Sequence, residues 1–142
     1  MTDIPERCTI LYVEDEENDV FLVSRAFSKW APELRLISAP DGLQAIRWLE
    51  KLSEPGSPER DFLSLVLLDL NLPKKNGFEV LQWIRQQPRY QHLPVVIYTS
   101  SDLQRDRDRA RELGATRFEV KSGTIADHER LVQTLVELGS KN

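Results

Sequence analysis

The feature that most constrains the fold is an alternation between short apolar runs and longer segments with helical periodicity. Continuous apolar runs occupy residues 10–13, 65–68 and 95–98, and runs of this length are typical of strands buried on both faces of a parallel sheet. Two weaker runs, at 34–38 and 116–120, complete a set of five. Each run precedes a segment with helical periodicity, so the chain is predicted to repeat a strand–helix unit five times.

The segments between the runs have apolar positions spaced as on one face of a helix. They lie at 17–30, 42–52, 77–87, 102–113 and 125–138. In the first of them that face holds Val20, Phe21, Ser24 and Phe27, and Thr124 with Asp127 has the spacing of an N-cap box opening the last helix. The prediction is an α/β fold, a doubly wound, five-stranded parallel sheet in three layers. It forms one domain, 1–142, with its core at about 8–138 and an exposed loop at 53–61.

Composition excludes several classes of protein. Charged residues make up 30% and hydrophobic residues 40% of the 142 positions, which is typical of a globular chain rather than a disordered or membrane-spanning one. The single cysteine, Cys8, cannot form an internal disulfide. A net charge of −4 argues against a protein that binds nucleic acid through a strongly positive surface. Residues 1–9 lack the apolar core of a signal peptide, so a cytoplasmic protein without nucleic-acid or membrane contact is expected.

Polar side chains follow four of the five predicted strands. Glu14 and Asp15 come after the first, Asp69 after the third, Thr99 after the fourth and Lys121 after the fifth. In a parallel sheet these positions converge on one edge, where ligands bind. Three carboxylates close together repel unless a cation lies between them, and Mg²⁺ prefers oxygen ligands of this kind.

The same residues have the chemistry needed to transfer a phosphoryl group to a carboxylate. Asp69 is the best nucleophile candidate because it ends the central apolar run and is followed by turn residues at Pro73, Asn76 and Gly77. A metal ion and Lys121 would neutralise the transferred group, and a hydroxyl would donate a hydrogen bond to it. The backbone carbonyl of Asn71 is a further candidate metal ligand.

Four motifs in this order resemble the receiver domain of two-component response regulators. They read VEDEEND, LLDLNLPKKNG, VVIYTSS and FEVKS and lie within residues 8–138. The resemblance implies a flavodoxin-like (CheY-like) fold with Asp69 as phosphoacceptor. It also implies an Mg²⁺ site at Glu14, Asp15, Asp69 and the Asn71 carbonyl. Asp15 matches the direct ligand, and Glu14 matches the position that usually acts through water.

The resemblance also implies a conformational switch. Thr99 matches the switch hydroxyl, Lys121 the phosphoryl-sensing lysine and Phe118 the aromatic switch residue. Two positions depart from the usual pattern. Ser122 follows Lys121 where many receivers have a proline with a cis bond, which leaves that peptide's isomer open, and Phe118 lacks the hydroxyl of a tyrosine.

Several partners follow from the resemblance. A sensor histidine kinase would phosphorylate Asp69, and the small regulators of bacterial phytochrome kinases are the most similar subgroup. With no output domain expected, the signal would pass to a downstream protein through direct contact, and the chain would catalyse only its own phosphorylation and dephosphorylation. Like charges four residues apart on the helix at 102–113, such as Arg107 and Arg111, leave rows of one sign. Such rows suit a homodimer with Arg107 and Asp108 among its contacts, tightened by phosphorylation.

Three alternatives are separable by chemistry. A receiver-like scaffold that is never phosphorylated would share every motif. A phosphatase of the haloacid-dehalogenase type needs a second acid two residues after the nucleophile, where this chain has Asn71. A nucleotide or flavin module would need a glycine-rich phosphate loop, and no such motif occurs. His128, in the run DHERL, is interpreted as a surface or half-buried histidine rather than a phosphoacceptor.

Overall fold

Five parallel strands form a single sheet in the order 2-1-3-4-5. The computed structural model describes residues 8–52, 54 and 63–140. The strands are β1 (Thr9–Val13), β2 (Arg35–Ala39), β3 (Leu63–Leu68), β4 (Val95–Thr99) and β5 (Arg117–Val120). The helices are α1 (Glu17–Trp30), α2 (Gly42–Leu52), α3 (Gly77–Gln86), α4 (Gln104–Glu112) and α5 (Ile125–Ser140). The predicted α/β fold with a five-stranded parallel sheet is confirmed.

The sheet separates two apolar cores, as a three-layer architecture requires. On one face, buried residues of α2 and α3, with Ala110 of α4, pack against alternate strand residues such as Leu11 and Val66. On the other face, α1 and α5 pack against the intervening residues, which include Tyr12 and Tyr98. Successive strand side chains point to opposite faces, so the continuous apolar runs bury both sets at once.

Phe21 is placed differently from the prediction. Its side chain is 57% exposed, whereas the buried face of α1 consists of Val23, Ala26 and Phe27. Residues two apart in a helix point about 200° from each other, so Phe21 and Val23 cannot both face the sheet. The tighter packing of the Val23 stripe leaves Phe21 in solvent beside Arg25.

Three predicted helices differ from the structure by one or two residues at their ends, and α5 continues to Ser140 rather than ending at 138. The third helix ends at Gln86, because Gln87 is extended before Pro88, and a residue preceding proline is disfavoured in the helical region. The fourth begins at Gln104, after an extended Leu103, so Asp102 lies outside the helix in which it was predicted.

The start of α5 matches its predicted cap in part. The Thr124 hydroxyl accepts a hydrogen bond from the Asp127 amide at 3.1 Å. The Asp127 carboxylate accepts a hydrogen bond from the Ser122 amide at 3.0 Å, whereas a full capping box would have it accept from the Thr124 amide. The predicted exposed loop at 53–61 lies, apart from Glu54, outside the described residues.

Two glycines let the chain after β3 pass close to its neighbours. A Cβ at Gly77 would lie 2.3 Å from the Asp69 carbonyl oxygen, and one at Gly42 would lie 1.9 Å from the Lys75 carbonyl oxygen. Lys74, between them in the turn, has a positive φ of 68°. This tight loop forms one wall around the carboxyl end of β3. Over the described chain, no helix has the length and apolar character needed to cross a bilayer.

Candidate functional site

Three carboxylates meet at the carboxyl ends of two neighbouring strands. Val13 of β1 pairs with Leu68 of β3, so the residues that follow, Glu14 and Asp69, emerge side by side. One carboxylate oxygen from each of Glu14, Asp15 and Asp69 lies within 4.8 Å of the others. The sheet therefore brings together the three acids that were predicted to converge.

Glu14 is the buried member of the group, with 2% of its surface exposed. Its Oε1 accepts a hydrogen bond from Lys121 Nζ at 2.5 Å and a longer one from the Tyr12 hydroxyl at 3.4 Å. Its Oε2 accepts from the Glu16 amide at 3.2 Å. Burial, together with the nearby charge of Asp69, raises the pKa of Glu14 to about 7 even though Lys121 opposes the shift.

Lys121 binds three carboxylates. Its Nζ lies 2.5 Å from Glu14, 3.0 Å from Asp19 and 3.2 Å from Asp69, and its side chain is almost fully buried. Burial alone would lower the pKa of this ammonium group, but the hydrogen bond to Glu14 and the charges around it raise the pKa above its ordinary value. Lys121 therefore carries a full positive charge at the centre of the acidic cluster.

Asp69 is almost fully buried, and the residues that follow it in the chain line an open groove. Its amide donates to the Val13 carbonyl, and its side chain is held on both oxygens: Oδ1 accepts from the Asn71 amide at 3.3 Å and Oδ2 accepts from Lys121. Asp15 and Asn71 line this groove, together with residues 100–103 of the next loop, and the groove has a volume of about 770 Å³. Asp69 is thus fixed in orientation beside this groove.

The arrangement fits a divalent cation. Asp15 is exposed and supplies a carboxylate toward the groove, whereas Glu14 and Asp69 supply oxygens from below. Lys121 contacts three carboxylates, and Asp15 adds a fourth acid to the group. The excess of negative charge and the all-oxygen donor set are the conditions that favour a hard divalent ion over a soft one.

The family model described as the response regulator receiver domain matches residues 10–135. The chain belongs to this family. It is 38% identical over 124 residues to the response regulator Rcp1 of Synechocystis sp., covering 87% of this chain and 83% of Rcp1.

Solved receiver structures agree with this assignment. The phosphorylated cyanobacterial phytochrome response regulator RcpA superposes with a TM-score of 0.82 at 29% identity, over 92% of both chains. The Mn²⁺-bound form of Rcp1 gives a TM-score of 0.78 at 35% identity, over 90% of this chain and 91% of that one.

The two predicted switch residues lie on the strands that border the receiver site. Thr99 ends β4 and is fully buried, and its Oγ1 accepts from the Ser101 amide at 3.4 Å. Phe118 is half-buried in β5, and the guanidinium carbon of Arg107 lies 4.9 Å from the centre of its ring. The Lys121–Ser122 peptide is trans, as are the other described peptide bonds.

Two residues of the receiver site were missed by sequence reasoning. Asp19 contacts Lys121, and His128 is completely buried beside it rather than at the surface. A signal for Asp19 exists in the sequence, because it is an acidic residue in the first turn of the helix that follows Glu14 and Asp15. Nothing local identifies His128 as buried, since it is flanked by charged residues in the sequence.

Proposed function

We propose that Asp69 accepts a phosphoryl group from a histidine kinase in an Mg²⁺-dependent reaction. The observation that carries the proposal is the Asp69 carboxylate, held in one orientation by Lys121 and the Asn71 amide beside a groove lined by Asp15 and Asn71. A nucleophile of this kind needs to be ionised, oriented and accessible. Asp69 is oriented by Lys121 Nζ and the Asn71 amide, and it lies beside the groove that Asp15 and Asn71 line.

In the reaction, a carboxylate oxygen of Asp69 forms a bond to phosphorus while the bond from phosphorus to the donor's leaving atom breaks. The products are an acyl phosphate and the dephosphorylated donor. Mg²⁺ bound at Glu14, Asp15, Asp69 and the Asn71 carbonyl would neutralise negative charge on the transferred group.

The chain's own residues would supply the remaining contacts. The Lys121 ammonium would bind one phosphoryl oxygen, and the hydroxyl of Thr99 would donate a hydrogen bond to another. Both interactions exist only once the group has reached Asp69, so they would stabilise the phosphorylated state and signal it to β4 and β5.

Acetyl phosphate tests the proposal without the kinase. The wild-type protein should gain one phosphoryl group by intact mass in the presence of Mg²⁺ and none in EDTA, and Asp69→Asn should gain none. Asp102→Asn is a matched control because Asp102 lines the same groove without joining the acidic cluster. A wild-type protein that stays unmodified with Mg²⁺ would favour the unphosphorylated scaffold.

Catalysis by the chain would be limited to its own phosphorylation and dephosphorylation. Asn71 occupies the position where a haloacid-dehalogenase-type phosphatase needs an acid, and an amide cannot protonate a leaving group. Steady turnover of p-nitrophenyl phosphate that disappears in Asp69→Asn would contradict this part of the proposal.

The upstream partner we propose is a phytochrome-type sensor histidine kinase in the cytoplasm. Support comes from the similarity to RcpA, described as a phytochrome response regulator, and to the bacteriophytochrome response regulator AtBRR, which is 35% identical over 93% of this chain. The downstream target would be a protein. Phosphotransfer assays with purified phytochrome kinases, compared with a kinase of another sensor class, would show whether the preference exists.

A homodimer through α4 is the remaining part of the proposal. Arg107 and Arg111 lie on this helix, with Arg107 stacked on the switch residue Phe118 and Arg111 paired with Asp108 at 3.0 Å. A contact through this face would therefore sense Phe118. Sedimentation at low and high salt, with and without beryllofluoride, should show a dimer that the analogue tightens and that Arg107→Glu with Arg111→Glu abolishes. A monomer under all conditions would contradict it.

A further inference from the structure

Asp19, in the first turn of α1, faces two buried groups at once. Its Oδ2 lies 3.0 Å from Lys121 Nζ, and its Oδ1 lies 3.7 Å from His128 Nε2. The first distance is that of a charge-assisted hydrogen bond, and the second exceeds hydrogen-bond length by more than half an ångström. Asp19 is therefore bonded to Lys121 and only adjacent to His128.

The His128 ring is buried with one nitrogen unsatisfied. Its Nδ1 lies 2.7 Å from the Tyr98 hydroxyl, whereas its Nε2 has no hydrogen-bond partner among the described residues. Burial lowers the pKa of His128 against the opposing charges of Asp19 and Asp127, while Lys121 lowers it further. The ring is accordingly neutral and carries one N–H, on either Nδ1 or Nε2.

Electrostatics selects the nitrogen that carries the proton. The Tyr98 hydroxyl lies 2.7 Å from Nδ1 and 3.3 Å from Asp127 Oδ2, so its single proton goes to the nearer acceptor, Nδ1. The ring proton then lies on Nε2 and points toward the Asp19 carboxylate. The other tautomer would put the Nε2 lone pair against that negative charge, which is repulsive. His128 thus holds an N–H donor that lacks an acceptor, next to a carboxylate that is occupied by Lys121.

A phosphoryl group on Asp69 would compete with Asp19 for the Lys121 ammonium group. A phosphoryl group adds nearly two negative charges and three acceptor oxygens, and on Asp69 it would lie next to an ammonium that is already 3.2 Å from that side chain. Movement of Lys121 toward the new oxygens would leave the Asp19 carboxylate without its cation.

We propose that Asp19 is a positioning residue, which holds Lys121 in the unphosphorylated state and transfers its hydrogen bond to His128 Nε2 when Lys121 binds the phosphoryl group. This inference rests on the proposed phosphorylation of Asp69. The distance between Asp19 Oδ1 and His128 Nε2 must shorten by less than 1 Å to reach an N–H···O distance of about 3 Å. Because His128 belongs to the first turn of α5, the transfer links the state of Asp69 to that helix.

Imidazole NMR provides a direct test, because the chain has only two histidines. His92 is exposed and serves as an internal reference. With Mg²⁺ and beryllofluoride as the phosphoryl analogue, the Nε2–H signal of His128 should shift as the new hydrogen bond forms, while the His92 signals stay in place. Asp19→Asn should lose most of the His128 shift yet still bind beryllofluoride.

Glu17→Gln is the matched control, since Glu17 is an exposed carboxylate in the same turn of α1. It should retain the full His128 response. Asp19→Asn should also bind beryllofluoride about fivefold more tightly, because the analogue no longer competes with Asp19 for Lys121, whereas Glu17→Gln should change the affinity less than about twofold.

Two results would overturn the inference: a His128 signal that does not move when wild-type Asp69 is occupied, or one that moves equally in Asp19→Asn. Failure of the wild-type protein to take up acetyl phosphate or beryllofluoride would instead contradict the proposed function itself. Intact mass after treatment with acetyl phosphate separates these outcomes.

Discussion

The ammonium group of Lys121 lies 2.5 Å from the carboxylate of Glu14, although the two residues are 107 positions apart in the chain. Their strands are not neighbours, since β3 and β4 lie between β1 and β5 in the sheet. The long side chain of Lys121 reaches across this gap and leaves its charge among the three acids. One buried ammonium group therefore serves three carboxylates from three different segments of the chain.

The raised pKa of Glu14 predicts a pH dependence of stability in metal-free protein. Between pH 4.5, its ordinary value, and about 7, the folded protein binds a proton at Glu14 that the unfolded chain has lost. The free energy of unfolding should consequently fall as pH rises through this window, by roughly 1–3 kcal/mol. Urea titrations of the wild type and Glu14→Gln in EDTA measure the effect, and the slope should be smaller in the variant. Parallel curves would contradict the prediction.

Removal of Asp15 should weaken metal binding while preserving the fold. Asp15 is exposed and has no structural contact comparable to those of Glu14, so Asp15→Ala should unfold near the wild-type midpoint. It should weaken Mg²⁺ binding at least about tenfold, because a doubly charged ion loses one of its carboxylate ligands. Calorimetry with Mg²⁺ measures the affinity, with Glu17→Ala as control. Equal affinity in both variants would place the metal elsewhere.

Arg85 should contribute more to stability than other arginines on the surface. Its guanidinium group donates to the carbonyls of Gly114, Tyr90 and Leu93 at 3.0, 3.0 and 2.7 Å. These bonds tie the end of α3 to the segments that precede β4 and β5. Arg85→Lys loses the forked geometry and should lower the free energy of unfolding by about 2 kcal/mol. Arg89→Lys, at an exposed position, should change it by less than about 0.5 kcal/mol in the same denaturant titration.

Gly42→Ala should displace the loop that follows Asp69, although Gly42 itself belongs to α2. The added Cβ would lie 1.9 Å from the Lys75 carbonyl oxygen, so the backbone of that loop must move. Destabilisation of about 1–3 kcal/mol is expected, together with slower phosphorylation by acetyl phosphate. Gly123→Ala is the matched comparison, because Gly123 has a positive φ but nothing within 4 Å. Gly123→Ala should lower the free energy of unfolding only by the backbone strain, about 1–2 kcal/mol, and should leave the phosphorylation rate unchanged.

The strand and helix pattern could be predicted from the sequence because it depends on local periodicity. The runs at 10–13, 65–68 and 95–98 each became the buried part of a strand, and the convergence of Glu14, Asp15 and Asp69 followed from their positions at strand ends. Errors occurred where a local pattern has two solutions. The apolar positions of α1 allow either Phe21 or Val23 to face the sheet, and only packing chooses between them.

The sequence by itself determined the order of elements, the residues that end each strand and the motifs that identify the family. Only the tertiary structure decided which charges meet: it placed Asp19 on Lys121 and buried His128 between Asp19 and Tyr98. The physical reason is that periodicity records which face of an element is apolar, whereas the partners of a buried polar group depend on how α1 and α5 dock together on the sheet.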